Sequence, residues 1–297
     1  MKNKIAIGIL FLLVIISVLS INITTEQQSW NCPPNYTCFA IGADSRTSYT
    51  QFNETLQFLK QYRNELDFVI YAGDMDSVQI NKENYHDIQM SNLESYWIMG
   101  NHEIDPGPGE TYIKNLYSSL NNTVNLFNDG RNSTYSIEYN NTHIVILDIY
   151  SENPDGNVPY RSSQYNWLKA DLEATDKSKQ IFVAGHEPAY PENRHVGDSL
   201  DQYPSDRDAL WSLFNNQSVE AYFCGHTHYY SKKIVLNVTQ IDVGNMRWGG
   251  DGNSTVVFVA VEKTGKGSII SVYSSNTEGS GFNLIDEFTI NNPYLQL

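Results

Sequence analysis

At 297 residues, with 40% hydrophobic and 12% aromatic side chains, the chain is long enough for one to three domains and too apolar to stay disordered. Its 34 Asp and Glu against 19 Lys and Arg give a formal net charge of -15, which repels polyanions and excludes non-specific nucleic-acid binding as an expected role. Three cysteines, with no Cys-x-x-Cys pair, exclude a disulfide-dense scaffold and a zinc-thiolate site, so the fold must rest on its core.

The chain begins with Lys2 and Lys4 ahead of an apolar run from Ile5 to Ile21, broken only by Gly8, Ser17 and Ser20. Such a run spans about 25 Å as a helix, long for the h-region of a signal peptide and short of the roughly 30 Å hydrocarbon core. Residues 1–21 are therefore expected to be a signal peptide or an N-terminal membrane anchor, with the anchor favoured, and either one exports the rest of the chain. Membrane contact is expected through this segment if it is not cleaved. Asn-x-Ser/Thr sequons at Asn22, Asn35, Asn53, Asn121, Asn132, Asn140, Asn216, Asn237 and Asn253 are weak support for export as a glycoprotein. Residues 22–36 read as a linker and 37–297 as one domain. Cys32 and Cys38 are spaced so that a small disulfide could close between them in an oxidising compartment, which leaves Cys224 as a buried thiol.

Short β-rich runs lie at Cys38 to Ile41, Asp67 to Ala72, Tyr96 to Met99, Ile144 to Ile149, Gln180 to Ala184 and Val219 to Cys224. Between them, Phe52, Leu56 and Leu59 share one helical face, as do Trp167, Leu168 and Leu172. Past Tyr229 the helical patterns stop, and Lys233 to Val243, Thr255 to Glu262 and Ser268 to Tyr273 read as three strands. The order predicts an α/β fold of two stacked sheets with helices outside.

Five polar clusters begin where apolar runs end: Gly42-Ala43-Asp44-Ser45-Arg46, Gly73-Asp74, Gly100-Asn101-His102-Glu103, Gly185-His186-Glu187-Pro188 and Gly225-His226-Thr227-His228. Strand C-termini are where loops converge in α/β sheets, so the five are expected to share one site. Asp44, Asp74, Asn101, His186, His226 and His228 together make an oxygen and nitrogen set suited to a pair of divalent metals. Four of the seven histidines fall in these clusters, whereas His86, His143 and His195 read as ordinary core or surface residues. Glu103 and Glu187 could accept imidazole N–H groups. Tyr190, Arg194, His195, Arg247 and Trp248 lie on loops near the motifs, and none of them is singled out for a role.

From Phe39 to Tyr273 the ordered motifs resemble the calcineurin-like metallophosphoesterase family. The resemblance implies a four-layer α/β/β/α sandwich of two mixed sheets around two divalent ions, with manganese, iron or zinc foremost. It assigns Asp44, Asp74 and His228 to a first metal and Asp74, Asn101, His186 and His226 to a second, Asp74 bridging. It also makes His102 an assistant to the leaving group, which we read as its proton donor. Two cations roughly 3.5 to 4 Å apart would lower the pKa of a shared water, giving a hydroxide that attacks phosphorus. At one position the chain departs from the pattern: Arg46 stands where the family usually has a histidine ligand. A guanidinium cannot coordinate a cation, so Arg46 is expected either to bind phosphate oxygens or to pair with Asp44 or Asp76. The chain also lacks the tyrosine of the purple acid phosphatase branch in Gly73-Asp74-Met75-Asp76-Ser77 and so reads as a general member of the family.

The expected function is metal-dependent hydrolysis of phosphate mono- or diesters outside the cytosol, by Asp44, Asp74, Asn101, His186, His226 and His228 as metal ligands with His102 and Arg46 as catalytic residues. The alternatives are a phosphodiesterase specific for nucleotides or lipid head groups, and a catalytically weakened surface binding protein on the same scaffold.

Overall fold

Each short β-rich run marked from Cys38 onward lies in a strand or strands of two stacked sheets in the computed structural model, which describes residues 29–46, 49–76, 78–104, 123–247, 252–276, 279 and 281–292. The N-terminal run from Ile5 to Ile21, the sequons at Asn22 and Asn121, Ser77 and Trp248 lie outside the described residues. Among the described residues no helix is long and apolar enough to cross a membrane.

The first sheet runs in the order β13, β12, β11, β1, β2, β3, with β1 at Tyr36–Gly42, β2 at Phe68–Tyr71, β3 at Glu94–Trp97, β11 at Ser254–Glu262, β12 at Gly267–Ser275 and β13 at Asn283–Asn291. β1, β2 and β3 are parallel, and β11 turns antiparallel against β1. The second sheet runs β4, β5, β6, β7, β8, β10, β9, with β4 at Thr123–Leu126, β5 at Tyr135–Tyr139, β6 at Thr142–Ile146, β7 at Gln180–Ala184, β8 at Val219–Cys224, β9 at Tyr230–Val235 and β10 at Val238–Val243. Its centre, β6, β7, β8 and β10, is parallel and buried along its whole length, which is why β6, β7 and β8 are mostly apolar rather than alternating.

Aromatic rings join the sheets. Phe39 of β1 stacks on Phe68 at 4.8 Å and meets Phe182 and Phe223 of the opposite sheet edge-on at 6.2 and 6.3 Å. The helix Tyr49–Lys60 buries Phe52, Leu56 and Leu59, and Ser163–Ala174 buries Leu168 and Leu172. Ser162 caps the second helix by accepting the Tyr165 N–H. The helix Pro204–Asn216, which sequence reading does not mark, packs Trp211 and Phe214 on Tyr222 of β8.

Three expectations change. Lys233 to Val243, expected as one strand, is a hairpin whose two turn residues, Leu236 and Asn237, have φ of 49° and 66°. Leucine at the first turn position hides the Asn-Gly signal that such turns normally carry. β4, β5 and β13 carry no long apolar run, and β13 alternates exposed and half-buried positions along the sheet edge. Trp30, inside the expected linker, is buried and stacks on Phe258 at 4.5 Å, so the packed structure begins before residue 37.

The Cys32–Cys38 disulfide forms, with a Cα–Cα distance of 6.1 Å, and Cys224 is a buried free thiol. Sequon asparagines within the described residues are exposed or half-buried, and Asn35, Asn132, Asn140 and Asn237 occupy left-handed turn positions. The buried asparagines Asn81, Asn157, Asn245 and Asn292 belong to no sequon.

Glu220 of β8 is only 3% exposed, and neither carboxylate oxygen has a hydrogen-bond partner among the described residues. Burial pushes its carboxyl up to about 9. Because the folded value lies above the unfolded one, the group is harmless in acid and its cost to the fold grows as pH rises towards 9. Glu220→Gln should therefore raise the melting temperature at pH 8 and change it little at pH 4, read by thermal unfolding at both.

Candidate metal centre

All five clusters come together at the C-terminal ends of β1, β2, β3, β7 and β8, where both sheets present their loops to one edge. The loops are tied to one another by backbone hydrogen bonds: Asp44 N–H donates to Gly73 O at 3.0 Å, Arg46 N–H to Asp74 O at 3.1 Å and Gly225 N–H to His186 O at 2.8 Å. Asp44, Arg46, Asp74, His226 and His228 have φ of 56°, 52°, 52°, 72° and 65°. Left-handed backbone at a non-glycine residue costs of order 1 kcal/mol or more, so five such residues on one edge are a concentration of strain that the tied loops sustain.

One corner gathers Asp74, His186, His226 and Asn101. Ligand atoms of Asp74, His186 and His226 lie within 4.8 Å of one another and all three residues are buried. His186 Nδ1 donates to Ala72 O at 2.8 Å, which leaves its Nε2 facing Asp74 Oδ1 at 3.3 Å. The Asn101 amide oxygen sits 3.2 Å from His186 Nε2, 3.2 Å from His226 Nδ1 and 3.3 Å from both Asp74 oxygens. Turned over, the amide nitrogen would donate to these same atoms; with the oxygen inward, lone pairs converge on one point, and a cation is what reconciles them. The donor chemistry therefore fits a divalent ion.

A second corner holds Asp44 and His228. Asp44 Oδ2 accepts the His226 N–H at 2.8 Å, and its Oδ1, buried without a hydrogen bond, lies 3.4 Å from His228 Nε2. Two guanidinium groups border this corner. Arg46 pairs through Nε with Asp76 Oδ2 at 3.0 Å, donates through Nη1 to His102 Nε2, and has Nη1 3.8 Å from Asp74 Oδ2. Arg194 donates through Nη1 to His228 Nδ1 at 2.7 Å.

Residues 43–230, a span that contains every one of these side chains, match the model of the calcineurin-like phosphoesterase family. The chain belongs to the calcineurin-like phosphoesterase family. Among its curated relatives, Purple acid phosphatase 21 of Arabidopsis thaliana is 32% identical over 142 residues, covering 45% of this chain and 30% of that protein. Probable purple acid phosphatase 20 of the same plant is 24% identical over 224 residues, covering 70% of this chain and 50% of that one. The chain thus spans half or less of the length of these relatives. They come from the branch whose motif tyrosine this sequence lacks. A solved structure, GAP50, described as the anchor in the inner membrane complex of Plasmodium, shares the fold with a TM-score of 0.58 at 14% identity, over 88% of this chain and 89% of that one.

Electrostatics in this phosphoesterase centre are dominated by Asp74. Burial opposes its charge, but the neighbouring His186 and His102 hold its carboxyl well below the usual range. Burial likewise opposes a charge on His186, yet the Asp74 carboxylate lifts it to about 10. A proton on His186 Nε2 and a divalent ion would compete for one lone pair. His226 is pushed down to about 2 by burial first and then by His186 and His195, so its ring stays neutral with a lone pair to offer.

Of the two readings open for Glu103, an imidazole acceptor or a turn residue, the geometry favours the turn. Glu103 Oε2 accepts the backbone N–H groups of Asp74 and Gly100, both at 2.8 Å, and burial with the adjacent Asp74 charge pushes its carboxyl up to about 8. Glu187 accepts from Tyr150 Oη at 2.8 Å. Two further residues at this edge are given no role by the sequence. His195, read as an ordinary residue, lies with its ring 4.0 Å from that of His226. Asp242, inside an apolar run and therefore silent in the sequence, is buried and accepts from Thr227 Oγ1 at 2.6 Å, holding the loop that carries His226 and His228.

Gly73 has a φ of 90°, and a Cβ added there would fall on His186 Nδ1. Gly73→Ala should destabilise the protein by about 1–3 kcal/mol in chemical denaturation. It should also shrink the rise in melting temperature that a bound divalent ion gives the parent, because His186 is displaced.

Proposed function

We propose that this chain is a metal-dependent phosphoesterase that hydrolyses phosphate mono- or diesters outside the cytosol. The observation that carries the reading is the buried cluster of Asp74, His186 and His226, whose ligand atoms lie within 4.8 Å of one another with the Asn101 side-chain amide against them. A divalent cation held there would supply the positive charge that polarises a phosphoryl oxygen and makes water acidic enough to ionise near neutral pH. Asp74, Asn101, His186 and His226 orient that charge at a buried edge, while Asp44 and His228 border it on the other side.

His102 and Arg46 stand at the mouth of the centre, with side chains 30% and 29% exposed. The His102 backbone N–H donates to Asp74 Oδ1 at 3.0 Å, which fixes the ring beside the reacting position. From there the imidazole can hand a proton to a departing alkoxide, and Arg46 can bind phosphate oxygens with its free edge. Export is supported by the Cys32–Cys38 disulfide and by the sequon asparagines among the described residues, which are exposed or half-buried, both suited to an oxidising, glycosylating compartment.

The full chain, stripped of metal and resupplied with manganese, should hydrolyse a p-nitrophenyl phosphomonoester or diester, and Asp74→Asn should abolish turnover. A folded sample without turnover on either ester in any metal would favour the second reading, a surface binding protein, for which Arg46 at a family ligand position is the motivating residue.

His102→Ala should slow alkyl phosphate esters about 100-fold or more and p-nitrophenyl esters far less, since only a poor leaving group needs the proton. Equal losses on both would remove His102 from that role.

A further inference from the structure

We propose that this centre holds one divalent cation, in the corner of Asp74, Asn101, His186 and His226, and that Arg46 and Arg194 supply the positive charge of the second ion. The inference rests on the metal-dependent reading above and departs from the two-ion arrangement that the family resemblance implies.

Three observations converge on the corner of Asp44 and His228. The first is Arg46, a side chain with five donors and no lone pair, standing at a ligand position. Its guanidinium is held by Asp76 Oδ2 at 3.0 Å and by His102 Nε2, with Nη1 3.8 Å from Asp74 Oδ2.

The second is how Asp74 divides its oxygens. Oδ1 faces His186 Nε2 at 3.3 Å, on the side of the intact ligand set. Oδ2 lies 3.3 Å from the Asn101 amide oxygen and also has Arg46 Nη1 at 3.8 Å and His102 Nε2 at 3.7 Å, so a guanidinium stands beside the oxygen that would bridge to a second ion.

The third is Arg194. Its Nη1 donates to His228 Nδ1 at 2.7 Å, and a neutral imidazole that accepts at Nδ1 carries its hydrogen on Nε2. Asp44 Oδ1 lies 3.4 Å from that nitrogen without a hydrogen bond, and a nitrogen bearing hydrogen does not ligate a metal. Position 46 and His228 are both withdrawn as donors. What is left of the second site is two carboxylates, Asp44 and Asp74, too few ligands for a transition metal that takes four or more.

The charges balance. Two guanidinium groups carry the same +2 as the ion they replace, and they keep it at any physiological pH. Their planar forks also match a phosphoryl group, whose oxygens each accept two N–H bonds, so the replacement retains a means of binding phosphate.

The test counts metal without relying on turnover. The full chain is stripped with a chelator, loaded with excess manganese(II), desalted, and assayed for manganese per chain and by electron paramagnetic resonance. About one ion per chain with the six-line spectrum of isolated manganese(II) is the expected result. Two ions per chain with the broadened spectrum of a spin-coupled pair would overturn the inference and leave the metal-dependent reading standing; no bound ion would overturn both. Arg46→His should raise the count to two, and a folded variant that stays at one would show that Arg46 does not exclude the second ion. If that variant fails to fold, the count and spectrum of the parent decide alone.

Discussion

The centre depends on keeping the Asp74 carboxylate ionised while it is 2% exposed. Removing a carboxylate from water is costly unless opposite charge and hydrogen bonds compensate it. Compensation comes from His186 on one side, the His102 backbone N–H and ring on another, and Arg46 beyond. Glu103 fixes the loop from beneath: by accepting the Asp74 N–H and Gly100 N–H on one oxygen, it ties the turn after β2 to the turn after β3. A protein built this way has an anionic well that selects for cations, whether proton, metal or guanidinium.

Backbone geometry serves the same end. The left-handed residues at positions 44, 46, 74, 226 and 228 reverse the chain within a few residues of a strand end, so that each side chain turns over the sheet edge instead of continuing outward. Gly225 allows β8 to end directly against Ala43 and Asp44, where a Cβ would meet Asp44 Oδ2. The close approach is what lets the His226 N–H reach Asp44 at 2.8 Å and couples the two sheets at the site itself.

Much of this was legible in the sequence because the parallel strands are buried on both faces. β7 and β8, Gln180–Ala184 and Val219–Cys224, are mostly apolar up to their last residue, and the polar cluster after each marks its end. Legibility fails where that contrast disappears. β13 lies at an edge, so its side chains alternate between half-buried and exposed and form no run. The hairpin at Leu236 and Asn237 looked continuous because leucine occupies a turn position. At the site, motif spacing found the residues just past the strand ends, but Asp242 is hidden within β10 and Arg194 and His195 sit well after His186, where only the folded loop brings them back to His228 and His226.

The net charge of -15 makes the location of the few cationic side chains informative. Screening at physiological ionic strength confines each charge to about 8 Å, so a phosphate approaching the strand ends responds to what lies at the mouth rather than to the whole acidic surface. Arg46 is there, and Arg194 is joined to His228. A centre that relied on ions alone would be repulsive to phosphate whenever it was empty, with the buried carboxylates of Asp44 and Asp74 close beneath the mouth. Guanidinium groups fixed beside those carboxylates keep the mouth from becoming a purely anionic well. On the reading proposed above, the departure at position 46 is therefore part of how an acidic protein would receive an anionic substrate, with a binding charge that does not depend wholly on metal.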